Sequence, residues 1–143
     1  MKTIKEVMTP NAEMIGYDAT LKQAAERMKD LNVGVLPVKQ DGQPKGIVTD
    51  RDITVRGTAE GRDPNSAKVG EIMSVDLQWC YDDQNVKETS DLMKEKQIRR
   101  LIVKNRQDEV VGIVSVGDLC TSCNTELAGE IVEKISEPAQ PER

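Results

Sequence analysis

One pattern of hydrophobic and polar positions occurs twice along this chain. Residues 46–53 are Gly-Ile-Val-Thr-Asp-Arg-Asp-Ile, and residues 112–119 are Gly-Ile-Val-Ser-Val-Gly-Asp-Leu. In each copy a glycine and two β-branched residues predict a strand, a hydroxyl residue and an aspartate follow, and an apolar run predicts a helix. The pattern therefore predicts a strand, a turn and a helix, in duplicate.

The repeat continues outside these two segments when the chain is aligned with itself. Glu6–Thr9 matches Glu71–Ser74, 65 positions further on, and Leu36 matches Leu101 at the same shift. One additional residue in the polar stretch Asn105–Val111 accounts for the shift of 66 at the motif itself, because a loop accommodates an insertion at little cost. The chain is therefore interpreted as a tandem duplication.

Periodicity predicts the remaining elements of each copy. In the first copy they are a short strand at Met14-Ile15, a helix capped by Thr20 with an apolar stripe at Leu21, Ala24, Ala25 and Met28, a strand over Val33–Val38, and a turn at Asp41-Gly42. In the second copy they are a helix capped by Asn85 with a poorer stripe at Val86, Ser90 and Met93, and a strand over Ile98–Val103. Each copy is predicted to run β-α-β-β-α.

This order predicts an α/β (α+β) fold made of two pseudo-symmetric β-α-β-β-α units. A unit of about 60 residues closes too small a core by itself. We therefore expect the two units to pack sheet to sheet about a pseudo-twofold axis. The stretch Gly57–Lys68 is rich in Gly, Asp, Asn and Ser, which is typical of a loop, and it is the predicted internal boundary.

The boundary divides the chain into a first domain at residues 1–62, a second domain at residues 63–124, and a C-terminal helix and tail at residues 125–143. Aliphatic residues recur at every fourth position over Leu127–Ile135, which predicts a short amphipathic helix. We expect its apolar stripe to cover either the core or a partner subunit.

The amino-acid composition narrows the range of functions that the protein could have. The core must be aliphatic, because the 143-residue chain has 37% hydrophobic residues but no Phe. A formal net charge of −5 disfavours a nucleic-acid surface, which needs a basic face. We expect a cytoplasmic protein, since the sequence has neither an apolar leader nor a run long enough to span a membrane. The absence of histidine disfavours an enzyme, because it removes the commonest general base and most zinc chemistry.

Two interpretations of the repeated Ser/Thr-x-x-Asp pattern are open. Thr49 with Asp52, and Ser115 with Asp118, match a capping box, in which the side chains satisfy the first N–H groups of a helix. The same strand-to-helix turn also offers N–H groups to a phosphate, and an aspartate there can accept hydrogen bonds from ribose hydroxyls. The two interpretations differ in where the carboxylates point.

Taken together, the motifs resemble a tandem pair of cystathionine-β-synthase-type (CBS) domains over roughly residues 1–124. The features that carry the resemblance are the Met-Thr and Met-Ser openings at Met8 and Met73, the strand Val33–Val38, and the two Gly-hydrophobic-hydrophobic-Ser/Thr-x-x-Asp motifs in register. The sequences of segments Arg56–Asn65 and Gln97–Arg100 are similar to those found in small stand-alone bacterial CBS proteins of the hypoxic-response type.

The resemblance implies a non-enzymatic regulatory module that binds AMP, ADP, ATP or a related adenosyl ligand in the cleft between the two repeats. It also implies a disc-shaped homodimer with no required cofactor, no metal site and an unidentified protein partner. The implied ligand contacts are Thr49 and Ser115 at phosphate, Asp52 and Asp118 at ribose, Val33, Val35 and Ile98 beside the base, and Arg99 and Arg100 at phosphate. The alternative for the two arginines is a solvated or dimer-interface role.

The two copies differ at matched positions, so two equivalent sites are not expected. Ile102 stands where the first copy has Pro37, and Arg99 replaces Gly34. Trp79 is the single Trp, and we expect it either to pack against the protein or to stack on an adenine ring. A structural dimerisation scaffold without a ligand is the alternative to a sensor.

The cysteines offer a third function. Cys120 and Cys123 form a C-x-x-C pattern, and Cys80 is the remaining thiol. This spacing can indicate a redox pair or half of a metal site, and the protein would then be a redox-responsive or metal-responsive interaction protein. Residues three positions apart on a helix also share one face, so two half-buried structural cysteines explain the same spacing.

Overall fold

The structure is a computed structural model, and it describes residues 2–75 and 78–138. Its elements begin with α1 (Ile4–Val7), β1 (Thr9–Pro10), β2 (Ile15–Gly16), α2 (Leu21–Leu31), β3 (Val35–Gln40), β4 (Gln43–Thr49), α3 (Asp50–Asp52), a π-helix (Ile53–Thr58) and a 3-10 helix (Val69–Glu71). They continue with β5 (Trp79–Tyr81), α4 (Val86–Lys96), β6 (Arg100–Lys104), β7 (Val110–Ser115), α5 (Val116–Cys120) and α6 (Thr125–Ile135). Both copies therefore have the predicted β-α-β-β-α order.

The contacts within the chain define two compact units that differ from the predicted linear domains. The first unit is Ala12–Leu77, and the second unit combines Met1–Asn11 with Gln78–Arg143. The N-terminal segment belongs to the second unit because β1 pairs antiparallel with β7. In addition, the N–H of Ile4 donates to the carbonyl of Gln84 at 2.8 Å. The limits at residues 62 and 124 stay predictions about the extent of the repeats.

The segment Gly57–Lys68, which was the predicted boundary, lies inside the first unit. The N–H groups of Leu21 and Lys22 donate to the carbonyls of Ala67 and Pro64, both at 3.0 Å. This segment therefore packs against the first turn of α2. Its polar composition reflects a surface loop that returns to its own unit.

The first unit contains a three-stranded sheet in the order β2-β3-β4, with β2 parallel to β3 and β3 antiparallel to β4. The predicted turn joins β3 to β4, and Asp41 and Gly42 have φ values of 54° and 77°. Positive φ at both positions suits this residue pair in a two-residue hairpin. The apolar stripe of α2 is narrower than predicted, because Ala24 and Met28 are buried whereas Ala25 is exposed.

The second unit contains a four-stranded sheet in the order β1-β7-β6-β5. As predicted, α4 is capped by Asn85 and buries Val86, Ser90 and Met93. The predicted C-terminal helix is α6, and it covers the core of this unit with Ile131 fully buried. The predicted tail beyond residue 138 lies outside the described residues. Across residues 2–75 and 78–138, no helix has the length and apolar character needed to cross a bilayer.

Candidate functional site

The first repeated turn lies where β4 ends and α3 begins. Thr49 has an extended backbone, with φ of −116° and ψ of 163°, so its side chain reaches back toward the first turn of the helix. The N–H of Asp52 donates to Thr49 Oγ1 at 3.0 Å, and the N–H of Thr49 donates to Asp52 Oδ2 at 3.0 Å. The two residues therefore form a reciprocal capping box.

The second turn repeats this arrangement between β7 and α5. The N–H of Asp118 donates to Ser115 Oγ at 3.2 Å, and the N–H of Ser115 donates to Asp118 Oδ2 at 2.9 Å. Both aspartates are half-buried. The capping interpretation is therefore confirmed at both turns, whereas a contact with ribose stays a prediction.

Each cap uses one carboxylate oxygen and leaves the other for a further contact. Asp52 Oδ1 lies 4.0 Å from Nε of Arg56, a residue that the sequence analysis did not assign to the site although the i,i+4 spacing favours such a pair. Asp118 Oδ1 has no hydrogen-bond partner in the described part of the chain. Because a carboxylate oxygen carries two lone pairs, capping the helix and accepting a ligand hydroxyl are compatible.

The π-helix directly follows the first turn, where the sequence predicted an ordinary helix. Within it, Arg56 Nη1 donates to the carbonyls of Ile72 and Met73 at 3.1 Å and 3.3 Å. The carbonyl of Arg56 accepts from Nε of Arg62 at 3.2 Å. These bonds fix the π-helix to the end of the first unit. Single π-helical turns are rare in proteins as a whole, and those that occur often lie at functional sites.

The residues predicted to flank the base lie at or just before the start of β3 and β6, the strands that pair with the ends of β4 and β7 at the two turns. Val35 pairs with Thr49, and Arg100 pairs with Ser115. Val33 and Ile98 precede these strands, and each packs half-buried against the core of its own unit. The structure thus places Val33, Val35, Thr49 and Asp52 around the turn of the first unit, and Ile98, Arg99, Arg100, Ser115 and Asp118 around the turn of the second unit.

The two turns differ in charge at two matched positions. In the first unit the N–H of Asp50 donates to the carbonyl of Gly34 at 3.0 Å, and in the second unit the N–H of Val116 donates to the carbonyl of Arg99 at 2.9 Å. The Asp50 carboxylate covers Gly34 so closely that a Cβ on this glycine would lie 3.0 Å from Asp50 Oδ2. The first turn therefore has a carboxylate where the second has a neutral side chain, and a glycine where the second has an arginine.

Strand β5, at the edge of its sheet, carries two cation–π contacts that the sequence analysis did not predict. Lys104 Nζ lies 4.3 Å from the ring centroid of Trp79, and the Arg106 guanidinium lies 3.9 Å from that of Tyr81. Hydrogen bonds from Arg106 at 2.8 Å and 2.9 Å also hold the pKa of Asp83 below its usual value. The role of Trp79, which is 44% exposed, stays a prediction.

The cysteines do not share one helix. Cys120 is the last residue of α5 and Cys123 lies in the turn that follows, and both pack half-buried against the core of the second unit. Burial raises the pKa of the Cys120 thiol, and it raises the pKa of Cys80 to about 12. Within the described residues, no group of three or more His, Cys, Asp or Glu side chains is placed to hold a metal ion. These features favour the structural interpretation of the thiols.

Comparison with known sequences matches both repeats to one family. The family model for the CBS domain matches residues 4–56 and 69–123. The CBS domain-containing protein YhcV of Bacillus subtilis is 39% identical over 137 residues, which cover 95% of this chain and 96% of that protein. Hypoxic response protein 1 of Mycobacterium tuberculosis is 31% identical over 139 residues, which cover 96% of each protein.

Comparison with solved structures agrees with these matches. A crystal structure of Hypoxic Response Protein I with two coordinated zinc ions has a TM-score of 0.73 and 31% identity, and it covers 86% of this chain and 100% of that chain. CBSX2 in complex with AMP has a TM-score of 0.67 and 24% identity over 85% of this chain and 96% of that chain. The second match, at its lower identity, shows the fold alone. The resemblance found in the motifs is confirmed.

Proposed function

This chain belongs to the CBS-domain family, whose members are mostly regulatory rather than catalytic, and from that premise we propose that it is a non-enzymatic sensor of an adenine nucleotide. The ligand is AMP, ADP, ATP or a related adenosyl compound. It binds at the strand-to-helix turns of the repeats. The residues proposed to contact it are Thr49, Asp52, Val33 and Val35 in the first repeat, and Ser115, Asp118, Ile98, Arg99 and Arg100 in the second.

The observation that carries this proposal is the pair of arginines beside the second turn. Arg100 pairs across the strands with Ser115, and the carbonyl of Arg99 accepts from the N–H of the residue after Ser115. Neither guanidinium has an ion pair or a side-chain hydrogen bond in the described part of the chain. A guanidinium is a planar fork of donors that matches a phosphate. Beside the arginines, the Ser115 hydroxyl and the Asp118 carboxylate suit a phosphorylated ribose.

We infer that the second repeat provides the phosphate site. In the first repeat, the Asp50 carboxylate lies against Gly34, where it repels an incoming phosphate. In the second repeat the matched residues are Val116 and Arg99, so the repulsive charge is absent and an attractive one is present. Two unit charges a few ångströms apart interact by about 1 kcal/mol or more, even near a solvated surface. The phosphate should therefore favour the second turn over the first by at least about this free energy.

Related proteins have been crystallised with a nucleotide or with a metal, and the residues of this chain favour the nucleotide. CBSX2, which has the same fold, has been crystallised in complex with AMP. Hypoxic Response Protein I has been crystallised with two coordinated zinc ions. The present chain has no histidine, and the raised pKa of Cys120 disfavours the thiolate that binds zinc.

The sensor is further proposed to be a cytoplasmic homodimer that acts on a protein partner. A ligand transmits a signal only when its affinity differs between two states of the protein. The nucleotide is therefore proposed to change either the shape of the dimer or its affinity for that partner.

A thermal-shift panel of AMP, ADP, ATP, NAD and S-adenosylmethionine tests this function on the reduced full chain. A ligand at about 100 times its Kd adds about 2.7 kcal/mol to the free energy of unfolding, so at least one adenosyl compound should raise the melting temperature. Adenosine is the matched control, because it lacks the phosphate. If no compound in the panel shifts the melting temperature, the protein is a scaffold, and a shift with zinc alone would favour the metal-responsive alternative.

A further inference from the structure

Strand β2 lies at the edge of the three-stranded sheet, where its free side has unused backbone groups. The N–H of Tyr17 donates to the carbonyl of Lys39 at 2.8 Å, toward β3. Because backbone groups alternate in direction along a strand, the N–H of Gly16 and the carbonyl of Met14 point away from β3. Neither group has a hydrogen-bond partner among the described residues. The edge therefore offers one donor and one acceptor.

The second unit closes the matching edge with its own side chains. The N–H of Tyr81, which corresponds in the repeat to Gly16, donates to Gln84 Oε1 at 2.8 Å. The Arg106 guanidinium lies 3.9 Å from the centroid of the Tyr81 ring and covers it. Covering of this kind keeps an edge strand from pairing with another chain.

The first unit lacks both of the side chains that close the second edge. Ala19 stands where the second unit has Gln84, and Gly16 stands where it has Tyr81. A Cβ built on Gly16 would meet no atom within 4 Å beyond its chain neighbours. A cavity of about 480 Å³ lies here, and its lining includes Met14, Gly16 and Ala19. The edge of the first unit is therefore both unpaired and accessible.

Helix α2 contributes carboxylates to the same cavity. Glu26 and Asp30 both line it, and their spacing of four residues places them on one side of the helix. Neither carboxylate has an ion pair in the part of the chain that the structure describes. Arg27 also lines the cavity, but Glu13 neutralises it at 2.9 Å. Lys39 offsets one of the two free carboxylates, so an excess of negative charge is left.

We propose that this edge of β2 and its cavity bind an extended segment of a protein partner that carries a lysine or an arginine. One residue of the segment donates to the Met14 carbonyl and accepts from the Gly16 N–H, which extends the sheet by a strand. The basic side chain reaches the carboxylates of Glu26 and Asp30. The inference rests on the protein partner of the proposed function and assigns the surface that receives it. We call this surface the β2 edge site.

The groups at the β2 edge site favour a peptide over a nucleotide as the occupant. The free donor and acceptor are spaced as in a strand ladder, so the backbone of one residue satisfies both. In the second unit the donor at the matched position is satisfied by the amide oxygen of Gln84, the same type of acceptor that a peptide backbone supplies. The carboxylates of Glu26 and Asp30 would repel a phosphate, whereas they attract a basic side chain.

A library of short random peptides displayed on phage and selected on the immobilised full chain supplies the probes. The enriched peptides should contain Lys or Arg, and synthetic copies should bind in solution by fluorescence anisotropy. Gly16→Tyr/Ala19→Gln copies the closed edge of the second unit and should weaken binding at least about tenfold. Glu26→Gln/Asp30→Asn should weaken binding severalfold and reduce its dependence on salt. The matched control is Glu130→Gln/Glu133→Gln, which neutralises two exposed carboxylates of α6 and should bind as the wild type does.

The outcomes separate the β2 edge site from nucleotide sensing and from self-association. A selection that enriches no peptide overturns the site, as do peptides that bind the closed-edge variant or the Glu26→Gln/Asp30→Asn variant as tightly as the wild type. A lower mass of the closed-edge variant in light scattering would make a second copy the occupant and overturn the partner segment. The adenosyl thermal-shift panel should give the same result for the closed-edge variant and the wild type, so nucleotide sensing is tested apart from this site. Circular dichroism checks folding, and Gly16→Tyr alone keeps the test valid if the double variant does not fold.

Discussion

Ser115 and Asp118 hold each other across the start of α5, since each backbone N–H donates to the other's side chain, at 2.9 Å and 3.2 Å. Thr49 and Asp52 do the same at the start of α3. The caps fix one oxygen of each carboxylate and hold its side chain beside the hydroxyl. A ligand at either turn thus meets a preorganised hydroxyl and one remaining carboxylate oxygen, which lowers the cost of ordering the site on binding.

Replacing the second-turn carboxylate separates ligand binding from helix capping. Asp118→Asn should weaken nucleotide binding by about 1.5–3 kcal/mol, or roughly tenfold to a hundredfold, because a hydrogen bond from a ribose hydroxyl to a charged group is lost. Asp52→Asn should weaken binding as much if the first turn is also occupied. Isothermal titration calorimetry and thermal melts on the same samples measure the two effects. Unchanged binding together with a lower melting temperature would show that the aspartates only cap their helices.

The charge contrast between the turns predicts which repeat binds the phosphate. Arg99→Gly/Arg100→Val copies Gly34-Val35 of the first repeat, and it should weaken AMP binding at least about tenfold while changing adenosine binding much less, because only AMP has a phosphate for the guanidinium groups. Added salt should weaken AMP binding to the wild type more than to this variant.

The reciprocal substitution removes the carboxylate from the first turn. Asp50→Val copies Val116, and it should raise the number of AMP molecules bound per chain from about one toward two, since the repulsion of phosphate is lost. Calorimetric stoichiometry is the measurement. Equal stoichiometry in Asp50→Val and wild type, with full affinity in the double arginine variant, would contradict the assignment of the phosphate site.

The sequence was sufficient to predict the β-α-β-β-α order of each copy and both caps, because their signals are local. Thr49 and Asp52 are three residues apart, and the buried residues Val86 and Met93 follow helix spacing. Partners far apart in sequence were not predictable in this way. The pairing of Thr9 with Ile113 moves the N-terminal segment into the second unit, and no local pattern indicates it.

Because α6 is buried on one side, substitutions at two neighbouring residues of this helix should change the free energy of unfolding by different amounts. Ile131 is fully buried and Val132 is 47% exposed. Ile131→Ala should lower the free energy of unfolding by about 2–5 kcal/mol, since it leaves a cavity in the core. Val132→Ala should change it by no more than about 0.5 kcal/mol. Urea unfolding of both variants measures the difference, and equal losses would mean that α6 does not lie on the core.

The buried thiol of Cys80 predicts how stability changes at alkaline pH. Burial raises its pKa from 9.0 to about 12, so the folded protein holds this proton more tightly than the unfolded chain does. The thiol contribution to stability is therefore constant below pH 9 and is lost between pH 9 and 12, by up to about 1.4 kcal/mol per pH unit. Cys80→Ala should flatten the fall measured by urea unfolding over this range. Identical pH slopes in variant and wild type would contradict the assigned burial.

The sequence indicated the residue types at the two turns and the inequivalence of the turns, but not the position of the Asp50 carboxylate. The repeat motif indicated Ser115 and Asp118, and the replacement of Gly34 by Arg99 indicated inequivalent sites. That the Asp50 carboxylate lies against Gly34 depends on the side-chain direction at the first residue of α3, which spacing does not determine. The π-helix was likewise not predictable from the sequence, because the i→i+5 geometry has no clear residue signature.

Calorimetric titration of the wild type and of Arg99→Gly/Arg100→Val with AMP decides whether this CBS-domain pair binds a phosphorylated adenosine at the second turn. We expect saturable binding of about one AMP per wild-type chain and at least about tenfold weaker binding to the variant. Saturable binding of equal strength in both proteins, or no saturable heat in the wild type with AMP or any other compound of the adenosyl panel, would contradict it.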